Sequence, residues 1–213
     1  MKIMEFDVPR LYAITDRRLS GLSHLDQVVQ LVRGGATLIQ IRDKDSAADD
    51  LYHAAIACIE VARPLGVRII INDRVDVALA ADADGVHLGQ DDLPAEDARR
   101  LLGDDRIIGV STHTLEQAVK AATSWVDYVA IGPVFATSTK ENPDPIVGLS
   151  AIAQVRRRME KPLVAIGGID LERAGDVILA GADSVAVISD LYNSADIAVR
   201  TKEFIDKLSR SGA

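Results

Sequence analysis

With 213 residues, 48% of them hydrophobic and 26% charged, the chain is long enough for one sizeable core and about one domain. Its 32 acidic residues outnumber 24 basic ones, a net charge of -8. That balance disfavours nucleic acid or anionic membrane as the main partner, since both require a broad basic surface, but it leaves room for a small anionic ligand met by a local cluster.

Residues 1–10 carry charges at Lys2, Glu5 and Asp7 and no apolar signal core. A first apolar run covers 11–16. Behind it, Ser23 can cap a helical pattern over 24–33 that Gly34-Gly35 end, with His24 expected at its surface. The second run, 37–42, closes in Gln40-Ile41-Arg42-Asp43-Lys44. Strand side chains alternate faces, so Gln40 and Arg42 point the same way and Lys44 follows just beyond. An amide and two cations converge on one strand end, a pattern suited to phosphate or diphosphate. In the next helical stretch His53 is expected exposed and Cys58, the only cysteine, reads as a small buried hydrophobe.

The third run, 68–73, contains Ile69-Ile70-Ile71 and ends in Asn72-Asp73. The fourth, 85–89, holds His87, read as a packed core histidine, and leads into Gln90-Asp91-Asp92. Pro94 suits a first helical turn and Gly103 a stop. The fifth run, 107–112, ends in Ser111-Thr112. After His113, Thr114 and Gln117 form a capping-box pattern, and Trp125 is expected to pack between helix and strands. The sixth, 128–134, opens the least regular connection, 135–148, which carries Thr137, Ser138, Thr139 and Lys140 and reads as a binding loop. Arg156-Arg157-Arg158 close a helix and read as a solvated complement to its dipole. The seventh run, 162–168, ends in Gly167-Gly168; Asp170 can cap a helix over 171–180 that Gly181 ends. The eighth, 184–190, ends in Ser189-Asp190, and a last helix covers about 196–208.

Continuous apolar runs indicate strands buried on both faces, as in a parallel sheet. Eight strand–helix units favour an α/β fold of the (β/α)8 TIM-barrel type, one domain over 1–213, above an open doubly wound sheet. Polar residues gather at the C-terminal strand ends, where such barrels keep their chemistry. Asp73 and Asp92 are the metal candidates, for Mg²⁺ held jointly with substrate phosphates; Asp91 rivals Asp92, and each aspartate could instead cap a helix. Gly167-Gly168 and Ser189 occupy the strand ends where barrels often bind phosphate. No spaced His/Cys set for zinc and no Gly-x-Ser-x-Gly elbow occurs. A single cysteine permits no internal disulfide and no apolar run reaches the roughly 20 residues of a membrane span, so a cytoplasmic protein is expected.

The motifs taken together resemble the thiamine phosphate synthase family. They are Leu11-Tyr12-Ala13-Ile14-Thr15-Asp16, Gln40 to Lys44, Ile71-Asn72-Asp73-Arg74-Val75-Asp76, Gly85 to Asp92, Gly109 to His113, Gly132-Pro133-Val134-Phe135 with Thr137 to Lys140, and Ala165-Ile166-Gly167-Gly168-Ile169, in order along nearly the whole chain. The resemblance implies a TIM barrel that joins hydroxymethylpyrimidine diphosphate to a thiazole phosphate and releases diphosphate. It implies Mg²⁺ on Asp73 and Asp92. Gln40, Ile41, Arg42, Asp43, Lys44, Asn72, Ser111 and Lys140 would hold the pyrimidine diphosphate. Thr137, Ser138, Thr139, Gly168, Ile188 and Ser189 would hold the thiazole phosphate. Arg42, Lys44, Lys140 and Ser111 would carry the catalysis. The expected partners are these small molecules, with no nucleic acid or membrane; a homo-oligomer is compatible with the sequence. Asp190 stands where the family commonly has a smaller residue and is expected to point away from the phosphate or cap a helix. Rival readings are a thiazole tautomerase, an unrelated phosphate-binding barrel with Lys140 as a Schiff-base lysine, and a silent binder.

Overall fold

The computed structural model describes residues 6–137 and 144–211. Eight parallel strands alternate with helices: β1 (Leu11–Ile14), β2 (Leu38–Ile41), β3 (Arg68–Asn72), β4 (Gly85–Leu88), β5 (Ile107–Thr112), β6 (Tyr128–Ile131), β7 (Leu163–Ile166) and β8 (Ser184–Val187). The helices are α1 (Arg17–Ser20), α2 (His24–Arg33), α3 (Ala48–Ala62), α4 (Val75–Ala80), α5 (Ala95–Leu102), α6 (Leu115–Ala122), α7 (Gly148–Arg156), α8 (Ala174–Leu179), α9 (Ser189–Tyr192) and α10 (Ile197–Arg210). The strands pair in chain order and close, with Leu11, Tyr12 and Ala13 of β1 in register with Val185, Ala186 and Val187 of β8. That last pairing makes a barrel of what could have been an open sheet.

Strand alternation divides the core in two. Ile39, Ile41, Ile69 and Ile71 point outward onto Val28, Leu31, Leu51 and Ala55 of the helices. Tyr12, Leu38, Ile70, Tyr128 and Val164 point inward and fill the barrel, with Phe6 and Val8 packed among them from the segment before β1. Burial on both faces is why these runs are continuously apolar.

Polar clamps set the register at the N-terminal end of the barrel. Asp84, Asp127 and Asp183 each directly precede an even-numbered strand, and each carboxylate accepts from the backbone N–H of the neighbouring odd strand: Ile69 at 2.7 Å, Ile108 at 2.7 Å and Leu163 at 2.8 Å. Arg99 pairs with Asp127 at 2.6 Å and Arg156 with Asp183 at 2.7 Å. Arg156 thus departs from the solvated reading of its triplet. It also donates to the Lys161 carbonyl at 3.0 Å, while Arg157 and Arg158 are exposed. Trp125 is 47% exposed, not packed between helix and barrel.

The caps follow the sequence with local changes. The Ser23 hydroxyl accepts from Asp26 N at 3.1 Å and the Asp196 carboxylate from Val199 N at 3.0 Å. Thr114 caps α6, but the Gln117 side chain accepts from His113 N at 2.7 Å rather than returning to Thr114. α8 starts at Ala174, after a turn in which Asp170 accepts from Arg173 N at 2.9 Å.

Candidate active site

The C-terminal strand ends surround a cavity of about 1230 Å³, lined by residues of all eight strand ends and the loops that follow them. Gln40, Arg42, Asp43, Lys44, Asn72, Asp73, Asp92, Ser111, Thr137, Gly168, Ile188 and Ser189 all line it. Ile41 points the other way, fully buried against the helices. Ser138, Thr139 and Lys140 lie outside the described residues.

Asp73 follows β3 in the left-handed region, at φ 62°, which a non-glycine residue rarely adopts. Its N–H donates to the His87 carbonyl at 2.8 Å, which ties the turn to β4. Neither Asp73 nor Asp92 caps a helix; α4 and α5 are preceded by Arg74 and Pro94 and have no side-chain cap. Instead the two carboxylates meet. Burial and a hydrogen bond with Asp92 push the Asp73 carboxyl above its ordinary value, against the pull of Lys44. Lys44 Nζ sits 3.3 Å from Asp73 Oδ2, and Asp92 Oδ2 accepts from Gly89 N at 2.6 Å. Asp91 is exposed. Two carboxylates held against their own repulsion fit a divalent cation, whose charge would offset that repulsion. Among the described residues no group of three or more His, Cys, Asp or Glu side chains could hold a metal. A cation on this pair would therefore complete its shell with ligand oxygens and water, as Mg²⁺ commonly does.

Asn72, just before Asp73, is 6% exposed and its Nδ2 has no partner among the described residues. A buried amide donor left unpaired costs on the order of 1–3 kcal/mol, and Asn72 is among the residues that line the cavity.

The turn after β2 is held from behind by Thr15, His24 and Asp43. His24 is buried, not exposed, and burial holds its pKa below the ordinary value despite the neighbouring Asp43. The Thr15 hydroxyl accepts from Arg42 N at 3.2 Å and lies 2.9 Å from His24 Nδ1. The Asp43 carboxylate, an acceptor only, takes the Nε2–H at 3.1 Å, so Nδ1 of the neutral ring accepts from the Thr15 hydroxyl. Asp43 also accepts from the Ser46 hydroxyl at 2.7 Å and from the Asp45 and Ser46 backbones. Although burial opposes it, this set of donors holds the Asp43 carboxyl well below the usual carboxylate range. Asp43 thus shapes the turn that presents Arg42 and Lys44. Arg42 lies 3.4 Å from Asp16 and is one-fifth exposed.

On the opposite rim, Gly167 and Gly168 take φ 102° and 63°, and a Cβ at either would strike the loop after β6, at Pro133 or the Ala136 carbonyl. The glycines are thus required by loop packing as well as by approach to the cavity. Asp190 turns away, its carboxylate accepting from Leu171 N at 3.0 Å. His113 lies 3.5 Å from Asp144 and 2.7 Å from the Gly132 carbonyl.

The pattern described as Thiamine monophosphate synthase matches residues 11–191. The chain belongs to that family. It is 47% identical over 202 residues to the Thiamine-phosphate synthase of Methanospirillum hungatei, covering 94% of this chain and 98% of that one. To the Thiamine-phosphate synthase of a Roseiflexus species it is 45% identical over 210 residues, covering 95% and 89%. Among solved structures, the thiamine phosphate pyrophosphorylase of Pyrococcus furiosus superposes with a TM-score of 0.87 at 35% identity, covering 96% of this chain and 97% of that one. Membership of the thiamine monophosphate synthase family accounts for the shared barrel and the order of motifs. Tyr12 and His87, which line the cavity, and Tyr128, fully buried beneath them, carry no catalytic signature in one dimension. Tyr12 and Tyr128 sit at inward strand positions, and that periodicity was the only available signal.

Proposed function

We propose that this chain joins hydroxymethylpyrimidine diphosphate to hydroxyethylthiazole phosphate as a Mg²⁺-dependent transferase of thiamine biosynthesis. The products are thiamine phosphate and diphosphate. The observation that carries the reading is the meeting of Asp73 and Asp92 under Lys44, beside the unpaired Nδ2 of Asn72.

The bond that breaks joins the pyrimidine methylene carbon to the diphosphate oxygen, and its electrons leave with the diphosphate. Mg²⁺ on Asp73 and Asp92 would supply charge neutralisation at that leaving group. Arg42 and Lys44 bring fixed positive charge to the same place, and Asn72 Nδ2 and Ser111 supply hydrogen-bond donors. Lys140 would add a further cation. The electron-rich aminopyrimidine, oriented by Gln40, bears the charge left on its methylene carbon. The thiazole nitrogen then forms the new C–N bond with its lone pair. No proton is gained or lost at the reacting atoms, so the protein needs neither nucleophile nor strong base. Its residues bind, orient and exclude water that would otherwise trap the cation.

Thr137, Ser138, Thr139, Gly168, Ile188 and Ser189 would hold the thiazole phosphate across the cavity from the diphosphate. Ile41 and Asp43 would serve through the backbone of their turn, given the outward side chain of Ile41 and the fully engaged carboxylate of Asp43. The chain is read as one barrel domain working in the cytoplasm. Its unbridged, buried Cys58 supports that compartment, and among the described residues no helix is long and apolar enough to cross a membrane. The test is diphosphate release with both substrates and Mg²⁺. Release only when both substrates are present supports the reading; none under any condition removes it in favour of a binding protein.

A further inference from the structure

A continuous chain of five hydrogen-bonding groups crosses the cavity floor. Gln40 Nε2 donates to Tyr12 Oη at 2.9 Å, and the Tyr12 and Tyr128 hydroxyls lie 3.0 Å apart. Tyr128 Oη is 2.8 Å from His87 Nδ1, and His87 Nε2 is 2.8 Å from Ser111 Oγ. Both ends, Gln40 and Ser111, line the cavity, while Tyr12 and Tyr128 are 1% and 0% exposed. The rings are locked: Tyr12 meets Tyr128 edge-on at 5.8 Å, and His87 stacks on Tyr128 at 5.6 Å.

The chemistry of these groups allows only two arrangements. His87 is 7% exposed and both its nitrogens meet hydroxyls rather than a carboxylate, so the buried ring is neutral, with one nitrogen donating and the other accepting. Burial also raises both tyrosines, which stay as phenols. A phenol has one hydrogen to give. Every group is therefore paired only when all point the same way. In one direction Gln40 Nε2 donates to Tyr12, Tyr12 to Tyr128, Tyr128 to His87 Nδ1 and His87 Nε2 to Ser111. Gln40 Oε1 and the Ser111 O–H are then left for a ligand. In the other direction Ser111 donates to His87 and every bond reverses. Gln40 then offers its N–H groups to the cavity, and Ser111 has no proton left to give.

We propose that this chain sets the hydrogen-bond polarity at both ends of the cavity together. Tyr12, Tyr128 and His87 are positioning residues that hold Gln40 Oε1 toward the amino group of the aminopyrimidine and so leave the Ser111 O–H free to donate to the diphosphate. The inference rests on the reading of the cavity as a pyrimidine diphosphate site. It gives that site a specificity rule. A pyrimidine presenting an oxo group where the amino group belongs reverses Gln40, and with it withdraws the Ser111 proton from the leaving group. Recognition of the ring and assistance to departure are thereby linked through groups that touch neither reacting atom.

The experiment compares kcat/KM for the aminopyrimidine diphosphate and its oxo counterpart, with thiazole phosphate and Mg²⁺, in the unmodified chain, Tyr12→Phe and Tyr128→Phe. Both variants keep the ring and lose only the hydroxyl. The preference for the amino compound is expected to fall about tenfold or more in each, because the freed Gln40 amide can present either atom. An equal loss of rate on both compounds, with the preference unchanged, is the signature of a merely structural role and overturns the proposal. Calorimetric dissociation constants for the same two pyrimidine diphosphates give the preference independently of turnover. Absence of condensation in the unmodified chain would therefore count against the proposed reaction alone, while an unchanged binding preference would still overturn the chain.

Discussion

The two ends of the barrel treat charge in opposite ways. At the N-terminal end Asp84, Asp127 and Asp183 face a neighbouring strand's N–H, and Asp127 and Asp183 also face an arginine. At the C-terminal end Asp73 faces Asp92, Asn72 Nδ2 has no partner among the described residues, and Lys44 pairs with Asp73. Both ends are built from aspartate beside strand termini, so residue type alone does not separate them. Completeness of pairing does. A satisfied carboxylate fixes register and gains stability from it, whereas an unsatisfied one stores a cost that a ligand relieves.

That contrast breaks first at the metal pair. Asp73→Ala or Asp92→Ala is expected to lower the rate of diphosphate release about 10³-fold or more at saturating Mg²⁺, since it removes charge stabilisation at the leaving group. The melting temperature should hold steady or rise for Asp73→Asn, because a repulsion has been relieved. A variant that retained full turnover would remove Asp73 and Asp92 from the chemistry. The converse substitution lies at the other end. Asp127→Ala leaves Arg99 only 11% exposed without its partner and Ile108 N without its acceptor. It should cost about 3 kcal/mol in urea unfolding, with kcat/KM of the folded fraction unchanged. A large loss of activity in that folded fraction would show that the N-terminal end is not purely structural. Asn72→Ala sharpens the comparison at intermediate size. Turnover should fall roughly 10- to 100-fold from one lost hydrogen bond to a charged ligand, while stability stays within about 0.5 kcal/mol because Nδ2 has no protein partner to lose. A destabilised Asn72→Ala protein would mean that the amide serves the fold.

The barrel was legible because its strands bury both faces and its helices only one. The run Ile69-Ile70-Ile71 and the caps at Ser23 and Thr114 are local signals, and each is found where the pattern puts it. The convergence of Gln40, Arg42 and Lys44 on one cavity was legible for the same reason, through period-two alternation. What could not be read was pairing across the chain. His24 looked like a surface residue of α2 because its partners, Thr15 and Asp43, are 9 and 19 residues away. Arg156 looked solvated because Asp183 is 27 residues further on. Trp125 was given to the core on hydrophobicity, yet a backbone carbonyl held by Arg99 fixes its segment and leaves the indole outside. Tyr12 and Tyr128 are 116 residues apart and meet only because the barrel closes.

The smallest expected effect concerns His87, buried under the cavity, whose charged form the fold disfavours in the mildly acidic range. Burial lowers the His87 pKa from 6.5 to about 4. Between those values the unfolded chain binds a proton there and the folded chain does not, so stability falls as pH falls. The contribution of His87 is complete above about pH 6.5, and it diminishes progressively down to about pH 4. At pH 5.5 the loss should be roughly 1.4 kcal/mol relative to pH 8. His24, also held below its ordinary value, titrates with the same sign, so the measurement is a difference. Urea unfolding of the unmodified chain and of His87→Gln at pH 8 and pH 5.5 isolates the His87 term, and the variant should be the less acid-sensitive of the two by about that amount. Equal acid sensitivity would mean that the floor tolerates an imidazolium. The two-nitrogen relay between Tyr128 and Ser111 would then have to work with both nitrogens donating, which the Tyr128 hydroxyl could meet only by accepting from Nδ1 and donating to Tyr12.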